Sequence, residues 1–376
     1  MLLTSVLAAA LLAGPADTLA RPVVVAHRGA SGHRPEHTLE AYRLAVAAGA
    51  DFIELDLVST RDGVLVARHE NELSGTTDVA AHPEFAGRRT TKLIDGREVA
   101  GWFAEDFTLA ELRTLRARER LPRLRPGSAE HDGRYGIPTL QEVIGLAKRE
   151  SAARGRTIGI YPETKHPTYF DSIGLSLEEP LLRALERAGW TDAEAPVFVQ
   201  SFETGNLREL RRSTGVRLVQ LLAAEGRPYD LVRRGDSRTY ADLATAAGLA
   251  EIATYADGIG PAKELVVPRD SAGSPSAPTT LVADAHAAGL VVHPWTFRSE
   301  NHFLPAGLRR GDPAGPAFPR EHGAAAAEYR LFEALGVDGF FSDFPAEARA
   351  ALHGTAGAVG RKAPLPARGR SPNTRP

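Results

Sequence analysis

The chain contains no cysteine. That absence excludes a disulfide framework, a thiolate metal site, a cysteine nucleophile and a lipid-modified lipoprotein N-terminus. An excess of one charge is also missing. The 45 Lys and Arg stand against 47 Asp and Glu, a formal net charge of −2, so nothing points to a nucleic-acid partner. The 36 glycines read as turn punctuation and form neither a P-loop nor a dinucleotide fingerprint. Membrane-length apolar runs are lacking too. The run Leu2–Ala13 is too short to span a bilayer and is followed by Gly14-Pro15 and small residues. Residues 1–20 are therefore read as an export signal peptide cleaved after Ala20 or Ala16, with a buried N-terminal helix as the rival reading. The expected mature chain is secreted, extracytoplasmic and without stable membrane insertion. With 376 residues, 43% of them hydrophobic and 24% charged, it can bury one large core or two modest ones.

What is there is organised around residues 27–70. The apolar run Phe52–Val58 is interrupted by Glu54 and Asp56. In a strand, residues two apart share a face, so Ile53, Leu55 and Leu57 lie on one side and the two carboxylates on the other. Charges roughly 7 Å apart repel by about 2 kcal/mol at an effective dielectric near 20. A strand carrying both is expected to supply a cation or to protonate one of them, and the cation is the better reading. A histidine closes each flanking extended segment, His27 after Val23–Ala26 and His69 after Val64–Arg68.

Strand-like and helical runs alternate along the rest of the chain. Helical patterns at Thr38–Ala48, Leu140–Ala153, Leu177–Ala188, Gly205–Arg212, Thr239–Ala253, Thr280–Ala288 and Ala324–Leu335 interleave with extended ones at Thr157–Tyr161, Val197–Phe202, Val216–Leu222, Gly258–Gly260, Leu290–Thr296 and Val337–Phe341. About eight β-then-α units imply an α/β fold, either a doubly wound sheet or a parallel barrel. The polar candidates His27, Glu54, Asp56, Glu163, Gln200, Trp295 and Asp343 all fall at or near strand C-terminal ends. That favours a (β/α)8 TIM barrel, which gathers its chemistry at that face. Residues 71–138 break the rhythm and are expected to be a small inserted subdomain or lid. Residues 353–376, with five basic residues after position 360 and no acidic one, are expected to be a disordered basic tail. The barrel domain is thus bounded at 21–352.

At this level of detail the sequence resembles a known family. His27-Arg28-Gly29-Ala30, Pro35-Glu36-His37-Thr38, Glu54-Leu55-Asp56, Thr60-Arg61-Asp62-Gly63 and His69 resemble the signature of the glycerophosphodiester phosphodiesterases. The likeness continues through Tyr161-Pro162-Glu163-Thr164-Lys165, Val199-Gln200-Ser201-Phe202, Tyr255–Pro261, Val292–Arg298 and Gly339–Pro345. The blocks occur in family order over about residues 22–352 and look closest to the periplasmic, secreted branch. The resemblance implies a (β/α)8 barrel with an insertion after the second strand region. It implies that Glu54, Asp56 and Glu163 hold a metal, that His27 and His69 form a general acid/base pair, and that Arg28 and Lys165 meet the phosphate. Glu70 departs from the pattern, standing where the family usually has aspartate. An oxygen-only donor set suits a hard cation, Ca²⁺ or alternatively Mg²⁺.

Each residue has a plainer alternative. Arg28 could close the barrel end through an ion pair, and Lys165 could simply pair with Glu163. Gln200 and Trp295 are candidate substrate contacts that could equally pack the rim. His33, His37 and His293 read as structural or supporting, and Asp343 as a brace for the barrel end. The expected activity is hydrolysis of small glycerophosphodiesters such as glycerophosphocholine and glycerophosphoethanolamine to glycerol 3-phosphate and an alcohol. Glycerol-phosphate wall polymers and lysophospholipids are the alternative substrates, and a non-catalytic binding protein is the third reading. The oligomeric state is left open.

Overall fold

The computed structural model describes residues 21–353. The expected signal peptide and all but the first residue of the expected tail lie outside that range. The strands are β1 (Val23–Ala26), β2 (Phe52–Ser59), β3 (Leu65–Ala67), β4 (Thr90–Ile94), β5 (Arg97–Gly101), β6 (Gly159–Thr164), β7 (Phe198–Ser201), β8 (Arg217–Leu222), β9 (Gly258–Pro261), β10 (Val291–Val292) and β11 (Gly339–Ser342). Parallel pairing runs β10-β9-β8-β7-β6-β2-β1-β11. Bonds from Asp338 N to Val292 O and from Phe341 N to Pro294 O, with a parallel bridge between Phe297 and Ser342, bring the two ends together. The result is the expected (β/α)8 barrel.

Its interior explains why chemistry and packing coexist on the same strands. Inward positions repeat every second residue. Val25, Phe52, Tyr161, Phe198 and Phe341 fill the lower barrel, where Tyr161 stacks on Phe198 with centroids 5.0 Å apart. Two residues further along the same strands stand His27, Glu54, Glu163, Gln200 and Asp343. An aromatic floor therefore lies directly beneath a polar layer.

Helices cover the outside. Leu39–Ala47 begins with Thr38 accepting a hydrogen bond from Ala41 N, and Leu140–Arg154 begins with a reciprocal Thr139–Glu142 cap. Both are N-terminal signals of the expected kind. The helical pattern 239–253 is instead two helices, Tyr240–Leu243 and Ala246–Ile252. They meet where Gly248 packs so closely that a Cβ would lie 2.5 Å from Asp242 O. The extended run expected at 290–296 shortens to β10 because Pro294 interrupts the ladder.

Two strands extend beyond the sequence-based bounds. Strand β6 passes through Pro162 to Thr164, with Glu163 in register with Asp56 on one side and Gln200 on the other. Strand β2 runs to Ser59 because β3 folds back antiparallel on its last residues. Glu54 and Asp56 therefore sit in the body of β2, not at its tip as expected. Residues 71–138 form the two-stranded β4–β5 hairpin, several 3₁₀ turns and two short helices. They pack beside the barrel mouth.

Candidate active site

The loop after β1 sets the site's geometry. Arg28 and Gly29 both adopt left-handed backbone conformations, with φ of 58° and 86°. For a non-glycine residue this costs about 1–2 kcal/mol. The glycine is required, because a Cβ there would lie 2.8 Å from Ala41. The tight turn points the Arg28 N–H at Glu54, donating to Oε2 at 2.6 Å. The Arg28 guanidinium donates to Glu36 Oε2 at 3.2 Å, with Nε 3.5 Å from Asp56 Oδ2.

Glu54, Asp56 and Glu163 converge. Each offers a carboxylate oxygen, and these oxygens all lie within 4.8 Å of one another. All three side chains are buried. Burial and the neighbouring Asp56 push the Glu54 carboxyl well above its usual range. Glu163 rises to about 8, by burial first, despite the attraction of Lys165. Asp56 goes the opposite way: burial is outweighed by Lys165, His69 and a 2.8 Å hydrogen bond to His37 Nε2, so it stays ionised. The remaining nitrogen of His37 meets Tyr42 Oη at 2.8 Å. Gln200 donates to Glu54 Oε1 at 3.4 Å, while its own buried Oε1 has no hydrogen-bond partner. Three crowded carboxylates and an unsatisfied amide oxygen fit a hard cation, which prefers six to eight oxygen ligands. The cluster could hold a metal.

The two histidines reach this layer from different strands. His27 Nδ1 lies 2.6 Å from Asp343 Oδ1. His69 Nδ1 lies 2.8 Å from Glu70 Oε1, and Lys165 Nζ donates toward its Nε2 at 3.4 Å. Burial, aided by Arg28, lowers His27 to about 4 despite Asp343. Burial, Arg28 and Lys165 lower His69 to about 3, although 22% of its side chain meets solvent. Lys165 also contacts Glu163 at 2.9 Å. The ion pairs weighed from sequence for Arg28 and Lys165 are thus both present, and they sit inside the acidic cluster.

The structure brings His27, Arg28, Glu54, Asp56, His69, Glu163, Lys165 and Gln200 into one network. Trp295 stands at its edge, donating from Nε1 to Gly260 O at 2.7 Å and packing edge-to-face on Phe202 at 5.7 Å. Phe202 in turn lies 5.7 Å from Lys165 Nζ. Trp295 makes no direct bond to the carboxylates or histidines.

His37, read from sequence as structural or supporting, orients a carboxylate of the cluster. Two features go beyond the sequence reading. Asp343 is more than a brace, because it holds the His27 ring. Glu70 bridges His69 and His166, whose Nε2 lies 3.1 Å from Glu70 Oε2 and whose Nδ1 lies 2.6 Å from Asp95 Oδ2 in the β4–β5 turn. His293 bonds to Tyr161 Oη at 3.0 Å in the barrel floor and is structural, as expected.

Fold and site together define a (β/α)8 barrel with an acidic cluster able to hold a cation beside two imidazoles. Comparison with known proteins then fixes the family. Residues 27–347 match the model of the glycerophosphoryl diester phosphodiesterase family, and the chain belongs to it. A glycerophosphodiester phosphodiesterase of Arabidopsis thaliana is 36% identical over 337 residues, covering 86% of this chain and 84% of the relative. One from Haemophilus influenzae is 29% identical over 349 residues, covering 86% and 87%. Among solved structures, a glycerophosphoryl diester phosphodiesterase from Silicibacter pomeroyi superposes with a TM-score of 0.60 at 23% identity, covering 89% of this chain and 94% of that one. A phosphodiesterase from Oleispira antarctica, solved with its product sn-glycerol-3-phosphate, gives 0.57 at 20% identity, covering 89% and 97%.

Proposed function

We propose that this chain is a secreted, Ca²⁺-dependent enzyme that hydrolyses small glycerophosphodiesters, among them glycerophosphocholine and glycerophosphoethanolamine, to glycerol 3-phosphate and the free alcohol. The observation that carries the reading is the meeting of two imidazoles with Arg28, Lys165 and a carboxylate triad in one layer of the barrel. The Oleispira structure, with glycerol 3-phosphate as product, supports the product class. The signal-like residues 1–20 support secretion.

Glu54, Asp56 and Glu163 would hold the cation, with Gln200 beside them. When bound, the ion supplies charge to the phosphoryl oxygens. Arg28 and Lys165 attract the phosphodiester anion and neutralise charge that builds on its oxygens. In the first step the glycerol 2-hydroxyl attacks phosphorus and the bond to the head-group oxygen breaks. His69 takes the hydroxyl proton, since the Lys165 N–H aimed at Nε2 favours the neutral ring. His27 donates to the departing alcohol, since Asp343 behind it supports the imidazolium. An anionic substrate raises both histidines from their low values. In the second step water opens the cyclic phosphate, His27 takes the water's proton and His69 returns one to the 2-oxygen. Trp295 and Phe202 present an apolar wall to the glycerol carbons.

The test measures glycerol 3-phosphate released from glycerophosphocholine before and after chelation and after adding Ca²⁺ back. Chelator-sensitive release that Ca²⁺ restores supports the proposal. Release only from a glycerol-phosphate polymer or a lysophospholipid would replace the substrate. Phosphate binding without any turnover would replace the enzyme by a binding protein.

A further inference from the structure

Asp343 presents two oxygens to different partners. Oδ1 faces His27 Nδ1 at 2.6 Å, while Oδ2 accepts from Arg125 Nη2 at 2.6 Å and from Arg298 Nε at 2.8 Å. Arg298 comes from the loop after β10. Arg125 comes from residues 71–138, at the start of the short helix Pro126–Ala129, and each nitrogen of its guanidinium donates one hydrogen bond. Nε donates to Glu300 Oε1 at 2.7 Å and Nη1 to Ser31 O at 3.2 Å. Arg125 is 7% exposed and Asp343 is 2% exposed. A planar fork with three bonds to three segments fixes its acceptors in orientation as well as distance.

We propose that Arg125 is a positioning residue for the phosphodiesterase reaction, acting on His27 through Asp343, so that residues 71–138 complete the acid side of the site instead of merely shading it. The inference rests on the function proposed above. With Oδ2 clamped, the Asp343 carboxylate cannot rotate, and Oδ1 stays in line with the His27 Nδ1–H. That bond selects the tautomer whose Nε2 serves the reacting oxygens. Without the clamp, Asp343 can swing toward Arg298 alone, and the imidazole loses its fixed aim. Burial disfavours the ionised carboxyl, yet Arg125, Arg298 and His27 together hold it well below the usual range. The acceptor at Nδ1 is therefore always a charged one.

The clamp is open to a chemical test. A cavity of about 320 Å³, lined by Arg125, Glu300, His33, His322 and Phe344 among others, adjoins the guanidinium. Free guanidinium ion can enter it once the side chain is shortened.

The experiment is a double-mutant cycle on the full mature chain with glycerophosphocholine and saturating Ca²⁺. Arg125→Ala is expected to lower kcat by about 10- to 100-fold, by analogy with the loss of a partner that orients a metal-bound histidine. KM and Ca²⁺ affinity should stay within about two-fold of wild type, because the fork bonds to Asp343, Glu300 and Ser31 and to none of the three clustered carboxylates. Guanidinium chloride far below denaturing concentrations should restore kcat with saturation in Arg125→Ala and leave wild type unchanged. Arg125→Lys, which keeps the charge and loses the fork, should fall in between and serves as readout if the alanine variant unfolds. In Asp343→Asn the Arg125→Ala change should cost little more, since the path is already cut. Independent, multiplying losses in the cycle, or a loss seen in KM with kcat intact, would overturn the inference while leaving the proposed function standing. An inactive wild type would overturn both.

Discussion

Lys165 Nζ stands 2.9 Å from Glu163 Oε1 and 4.0 Å from Asp56 Oδ1, so a fixed ammonium lies against the same carboxylates that would hold a cation. The two positive charges oppose each other across a buried layer where screening is weak. Lys165 has a second duty, because its N–H reaches toward His69 Nε2 at 3.4 Å. In the proposed function one side chain would therefore trade cation affinity for a neutral histidine and a phosphate contact.

Replacing Lys165 by methionine separates those effects. We expect Ca²⁺ to bind several-fold more tightly, since a like charge is gone, while kcat/KM on a glycerophosphodiester falls by two orders of magnitude or more. Calorimetry and a glycerol 3-phosphate assay on one preparation read both. Weaker Ca²⁺ binding would mean that Lys165 supports the carboxylate geometry instead of competing with the ion.

The histidines should show the reverse separation. His69→Ala and His27→Ala should each lower turnover by about 10²- to 10⁴-fold and leave Ca²⁺ affinity nearly unchanged, because neither ring contacts the three carboxylates directly. A variant that still turns over at close to the wild-type rate removes that histidine from the chemistry.

His293 in the barrel floor is one of the histidines, with His27 and His69, whose lowered values make stability fall in acid. His293 is buried against Tyr161, and burial lowers it to about 4 from an ordinary value of 6.5. The unfolded chain thus takes up the proton more readily than the folded one. The contribution is present in full above pH 6.5, shrinks as pH falls from 6.5 toward 4, and is worth about 3 kcal/mol across that window. Urea midpoints measured between pH 7.5 and 4.5 should drop steeply for wild type and less steeply for His293→Gln. Parallel slopes would place the acid sensitivity elsewhere.

Much of this arrangement could be read in the chain itself. Glu54 and Asp56 alternate with Ile53, Leu55 and Leu57, and that pattern alone put the two acids together on one face of the strand, while which face turns inward came from the barrel. His27 and His69 follow short apolar runs, which placed them at the mouth. Pro162 hid the true length of β6, because a proline reads as a break although extended backbone accommodates it at this position. The role of Asp343 was concealed for a different reason. Its partners His27 and Arg125 lie 316 and 218 residues away in sequence, and no local pattern encodes such a meeting. Glu70 shows the same limit, since its bridge to His166 spans 96 residues.

The central claim is that Glu54, Asp56 and Glu163 jointly hold one hard cation beneath the two imidazoles. A crystal of the protein grown with Ca²⁺ tests it directly. The account predicts a single ion bonded to an oxygen of each of these three residues at about 2.3–2.6 Å, with His27 and His69 on the same side of it. An ion bound elsewhere, or these carboxylates turned away from one another in the presence of Ca²⁺, would contradict it.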